Sequence, residues 1–78
     1  MNSKALLTQF QKILRSPTQE NFAERWELRW TIIEQLLREG RRILALALYD
    51  AMDELRKTDN NDAFMEAVAS ILGRVNTN

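Results

Sequence analysis

The sequence contains no cysteine and no histidine. The first absence removes disulfides, thiolate nucleophiles and thiolate metal sites together. The second removes the usual general base near neutral pH and the commonest transition-metal ligand, so serine–histidine and cysteine–histidine catalysis are excluded. Only two glycines occur, Gly40 and Gly73, too few for a glycine-rich loop that cradles nucleotide phosphates. The single proline, Pro17, marks a boundary between helices.

Net charge is absent as well, because eleven basic residues balance eleven acidic ones. No long-range field therefore draws the whole chain to nucleic acid or to an anionic membrane. The same neutrality gives little electrostatic protection against self-association. No run approaches the roughly 18 apolar residues of a spanning helix, and MNSKALLTQF lacks the cationic start and continuous apolar run of a signal peptide. These absences describe a soluble, cytoplasmic protein with no membrane contact, no cofactor, no metal and no small-molecule substrate.

What is present is enough for one domain, residues 1–78, with 45% hydrophobic residues. A chain this short buries only about 60 per cent of its unfolded surface. Without covalent staples, it must rely on helix packing or on a partner.

Four amphipathic segments follow one another. Ser3 reads as the cap of a first helix, Lys4 to Arg15, with Leu6, Leu7, Phe10, Ile13 and Leu14 on its buried stripe. Ser16, Pro17 and Gln19 form the sequence of a capping box, which starts a second helix near Pro17 and runs it to Glu39 before Gly40. A third helix, Arg41 to Lys57, carries Leu44, Leu48, Ala51, Met52 and Leu55 on its main face. Asp59 or Asn60 caps a fourth, beginning near Asp62, whose stripe is Phe64, Val68, Ile71 and Val75, flanked by Met65 and Leu72. Connections this short imply antiparallel neighbours. The expected fold is all-α: a compact antiparallel bundle of four short helices, with the second and third as a central hairpin.

The stretch LLREGRRILALALYDAMDEL is similar to the middle of a tetratricopeptide repeat, with Gly40 at the turn and Ala45 and Tyr49 at that repeat's small and aromatic packing positions. The likeness covers about a quarter of the chain. Trp30 stands one place out of step, Met52 replaces the expected alanine, and no second copy occurs. The resemblance implies a shared way of packing a helical hairpin.

The second helix has too much apolar surface for one neighbour. On a wheel, Phe22, Trp26, Trp30, Ile33, Leu36 and Leu37 share one arc, and Leu28 and Ile32 widen it to about half the circumference. Arg25 and Arg29 fall inside that arc, and covered guanidinium groups need acceptors. Two dispositions fit this pattern. The arginines snorkel over the core edge or pair with Asp50 or Glu54 of the third helix; alternatively, Arg25, Leu28, Arg29 and Ile32 form a docking face while Phe22, Trp26, Ile33 and Leu37 turn inward. Leu46 and Tyr49, on the back of the third helix, form a second candidate face, to be covered by another helix of the chain or by another copy.

Arg38, Arg41 and Arg42 surround Gly40 and offer phosphate contacts, although arginines at a helix end also serve its dipole. Asp50, Asp53 and Glu54 share one helix face, but no second element supplies further metal ligands. The function expected from these residues is non-enzymatic: a protein–protein interaction module, acting as adaptor, regulator or inhibitor, that docks an apolar, Trp- and Arg-bearing face on a larger partner or forms a homodimer. The alternative is an accessory subunit of a nucleic-acid complex, touching phosphates through the three arginines near Gly40.

Overall fold

A computed structural model describes residues 1–77, which form α1 (Ser3–Arg15), α2 (Phe22–Arg38), α3 (Arg42–Thr58) and α4 (Asn61–Asn76). Each boundary has a local chemical cause. Asn2 caps α1, its side-chain oxygen accepting from the Ala5 amide at 2.9 Å. Ser3, expected as the cap, is instead the first helical residue, and its amide and hydroxyl both donate to the Glu39 carboxylate, at 2.8 and 2.6 Å. Glu39 lies just past the end of α2, so these bonds tie the start of α1 to the α2–α3 turn.

The start of α2 differs from the sequence expectation by about one turn. The box of Ser16 and Gln19 does not initiate the helix. A reciprocal pair forms between Thr18 and Asn21, in which the Asn21 side chain accepts from the Thr18 amide and the Thr18 hydroxyl oxygen accepts from the Asn21 amide, both at 3.1 Å. The Asn21 amide group also donates to the Ser16 carbonyl at 3.2 Å. These bonds hold the chain in a turn until Phe22.

The end of α2 is as expected. Gly40 has φ of 76°, in the left-handed region. Its amide donates to the Leu37 carbonyl at 3.0 Å, and the Arg41 amide donates to the Leu36 carbonyl at 2.8 Å, the paired bonds of a Schellman motif. Asp59, φ 55°, ends α3 in the same conformation without the freedom of glycine. Asn60 then caps α4 by accepting from the Ala63 amide at 3.1 Å.

The helices form a compact antiparallel bundle in which α2 packs on α1 and α3, and α4 packs on α3 and closes back on α1. Leu6, Leu7, Phe10 and Leu14 of α1 meet Leu28, Ile32, Ile33 and Leu36 of α2, Leu44, Ala45 and Leu48 of α3, and Phe64, Val68, Ile71 and Val75 of α4. Phe10 and Phe64 meet edge to face at 5.9 Å near its centre. The stripes expected for α1 and α4 are the buried ones, with Ile13, Met65 and Leu72 at their margins.

For α2 the inward and outward flanks are largely reversed, although Ile33 is buried as expected and Arg25 stays at the margin. Leu28, Arg29 and Ile32, expected on an uncovered flank, are buried with Ile33 and Leu36. Phe22, Trp26, Trp30 and Leu37 are exposed. The branched aliphatic residues supply a narrow ridge that fits between α1 and α3, whereas an indole is bulky and carries an N–H that needs an acceptor when buried. Ser3 and Arg29 are the buried polar residues among those described, and Ser3 is committed to Glu39. The aliphatic flank therefore goes in.

Candidate functional site

The reversal creates a groove on the outer side of the α2–α3 hairpin. Phe22, Trp26 and Trp30 repeat at helical spacing along α2, and Tyr49, Met52, Leu55 and Arg56 of α3 form the opposite wall. The depression has a volume of about 460 Å³. Trp26 and Trp30 meet edge to face at 6.4 Å, and Trp30 meets Tyr49 at 6.1 Å, so the aromatic wall bridges the two helices. A second depression of about 320 Å³, lined by Ile33, Leu37, Arg42, Ala45, Leu46 and Tyr49, continues it toward the Gly40 turn. The six large apolar residues along this face, Phe22, Trp26, Trp30, Leu37, Leu46 and Tyr49, are between 41% and 63% exposed.

Arg29 lies at the bottom of the larger depression and is only 8% exposed. Its guanidinium sits 5.6 Å from the centre of the Trp26 ring and 5.4 Å from that of Phe64, linking the groove wall to the core. Its Nε is buried without a hydrogen-bond partner. Burial, and secondarily the charge of Arg25, lower its pKa from the ordinary arginine value. The ion pairs to Asp50 or Glu54 open to it in the sequence are not formed: among the described residues, no carboxylate pairs with Arg29 within 4.0 Å.

Arg25, one turn earlier, is half-buried and well satisfied. It donates to the Asn21 side-chain oxygen at 2.8 Å and to the Thr18 carbonyl at 3.0 Å, and lies over the Phe22 ring at 5.6 Å. It therefore holds the groove's rim instead of pairing across to α3. Asp53 also lines the groove, but its carboxylate accepts from Arg56 at 2.8 Å and from Lys57 at 3.1 Å. The Lys57 hydrogen bond first, with Arg56 contributing, holds its carboxyl below the usual range.

The structure thus separates the candidate residues. Leu46 and Tyr49 stand on the exposed face as expected, uncovered by any helix of the chain. Arg25 and Arg29 border and floor the groove, while Leu28 and Ile32 belong to the core. Phe22, Trp26, Trp30 and Leu37 replace them as surface. The signal in the sequence was the pair of indole N–H groups on a helix whose partners offer almost no buried acceptors.

The arginines around Gly40 diverge. Arg38 reaches back to Glu34 at 3.9 Å, Arg41 bonds Glu39 at 3.1 Å, and Arg42 is exposed beside the smaller depression. Arg41 and Arg42 share a shallow hollow with Arg74 of α4. Among the described residues, no group of three or more acidic side chains is placed to hold a metal ion, and no helix is long and apolar enough to cross a membrane. Comparison with family models, with curated proteins and with solved structures finds no match to this chain.

Proposed function

We propose that the chain is a non-enzymatic docking module that covers a surface of a larger protein with the outer face of its α2–α3 hairpin. The observation that carries this reading is the continuous exposed row of Phe22, Trp26, Trp30, Tyr49, Leu46 and Leu37. A small chain has few large apolar residues, and placing six on one outer face leaves that area unfavourably hydrated until something covers it. Tryptophan, tyrosine and arginine are also the residues that most often dominate binding energy in interfaces. The titratable groups around the groove are arginines, Tyr49, Asp53 and Asp59, which offer adhesion and charge pairing but no matched acid and base.

The test compares affinity-tagged wild-type chain with the double variant Trp26→Gln, Trp30→Gln, each expressed in its source cells and followed by reconstitution with any partner recovered. The wild-type chain is expected to retain a stoichiometric partner that the folded variant loses. Equal retention by both chains would show that the groove takes no part in docking.

A further inference from the structure

The groove contains something that apolar docking alone leaves unexplained. An arginine whose residue is more than nine-tenths buried normally has a carboxylate or several carbonyls around its charge, because desolvating an unpaired cation is costly. Arg29 has two aromatic rings instead. Rings attract the cation but are poor substitutes for oxygen acceptors of its N–H groups, and the buried Nε has no hydrogen-bond partner. Of the acidic residues that line the groove, Asp53 is engaged by Arg56 and Lys57, and Asp59 forms no ion pair with Arg29.

Charge also bears on what kind of surface can cover the groove. Arg25, Arg29 and Arg56 line it, against Asp53 and Asp59. In a symmetric dimer built on this face, each copy would present the same patch to the other. Arg56 is already spent on Asp53 within its own chain, so Arg25 and Arg29 of each copy would approach their counterparts with Asp59 as the remaining carboxylate of the lining. A second copy is therefore a poor occupant, and a foreign surface that brings a negative charge is a good one.

Resting on the docking reading above, we infer that the groove receives an apolar peptide segment of the partner that carries an aspartate or glutamate, whose carboxylate pairs with the Arg29 guanidinium between the Trp26 and Phe64 rings. The two depressions fix the order of its parts. The acidic residue lies over the larger one, and apolar side chains lie over Ile33, Leu37 and Leu46 in the smaller one. Leu37 lies eight helical steps beyond Arg29, so the acidic and apolar anchors stand about 12 Å apart. Once the peptide covers the groove and excludes water from Arg29, pairing with its charge makes the carboxylate a condition for binding, which gives the site its selectivity.

A random peptide library displayed on phage, selected on the wild-type chain and counter-selected on the Trp26→Gln, Trp30→Gln variant, tests this even while the partner is unidentified. Groove-dependent peptides are expected to share an acidic residue set apart from an apolar cluster. Replacing that residue by its amide should weaken binding about tenfold or more. The Arg29→Met variant should bind the acid and amide peptides equally, and the Arg29 Nε–H resonance should shift when the acidic peptide binds. Groove-dependent peptides that lack an acidic residue, or whose amide versions bind within about twofold of the acid, would overturn this inference and leave the docking reading standing. Failure to recover any groove-dependent peptide would overturn both.

Discussion

Replacing Glu39 by glutamine tests how this short bundle is held shut at one end. The Glu39 carboxylate accepts four hydrogen bonds: from the Ser3 amide at 2.8 Å, the Ser3 hydroxyl at 2.6 Å, the Gln35 side-chain amide at 3.0 Å and the Arg41 Nε at 3.1 Å. Its negative charge also faces the first turn of α1, where the helix dipole favours an anion. Burial alone would raise its pKa, but the bonds from Ser3, Gln35 and Arg41 outweigh it and take the value from 4.5 down to about 2.

Such a depressed folded-state pKa stabilises the fold above the unfolded value, and that stabilisation disappears as pH falls from about 4.5 toward 2. At about 1.4 kcal/mol per pKa unit the full linkage is roughly 3 kcal/mol, and solvent screening of a side chain still 21% exposed reduces it to about 2. Glu39→Gln should therefore lower the melting temperature at pH 7 by about 10 °C, followed by circular dichroism. The two chains should converge near pH 2, where the wild-type carboxylate is half protonated or more. A gap of the same size at pH 7 and pH 2, or no gap at pH 7, would refute the staple. Asp53, whose carboxyl is also depressed, titrates in both chains and cancels in the comparison.

The reversed orientation of α2 predicts that Leu36→Ala, at a fully buried position, costs about 2–5 kcal/mol in urea unfolding, whereas Trp30→Ala costs about 1; equal costs would contradict the assignment of flanks. Gly40→Ala should destabilise by about 1 kcal/mol through backbone conformation alone, because a Cβ there meets nothing within 4 Å. A neutral result would mean that the α2–α3 turn relaxes away from its left-handed φ. Arg29→Met should leave stability unchanged or raise it by up to about 1 kcal/mol, since it replaces an unpaired buried cation with an apolar chain of similar length; a loss of about 2 kcal/mol or more would show that the guanidinium is satisfied within the chain.

The helical bundle was legible because each helix carries period and punctuation together. Phe64, Val68, Ile71 and Val75 repeat at helical spacing behind a capping asparagine, and Gly40 stands where a left-handed residue must end α2. Boundaries were less legible where side chains compete for the same role: Asn2 beside Ser3, and Thr18 with Asn21 beside Ser16 with Gln19. The link from Ser3 to Glu39 joins residues 36 apart in the chain and leaves no periodic trace.

The wide apolar arc of α2 pointed to packing on more than one neighbour, but the arc has two sides and hydrophobicity alone does not order them. Size and polarity do, since Leu28, Ile32 and Leu36 fill a narrow seam that indoles do not. Arg29 lies near the middle of the buried sector, where its guanidinium needs a partner even more than it would at the core's edge. Asp50 and Glu54 of α3 are the partners the sequence offers it, yet both are exposed, neither lines the groove and neither pairs with it.

We propose the aromatic flank of α2, with the facing side of α3, as the surface through which the chain docks. Nitrogen-15 correlation spectra of the labelled chain, recorded with and without a groove-selected acidic peptide or the recovered partner, test it most directly, because Trp26 and Trp30 supply the chain's two indole N–H signals. Both indole signals and the Arg29 Nε–H signal are expected to move on binding, while backbone amides on the outer faces of α1 and α4 stay in place. Indole signals that remain fixed while α1 or α4 amides shift would contradict the proposal.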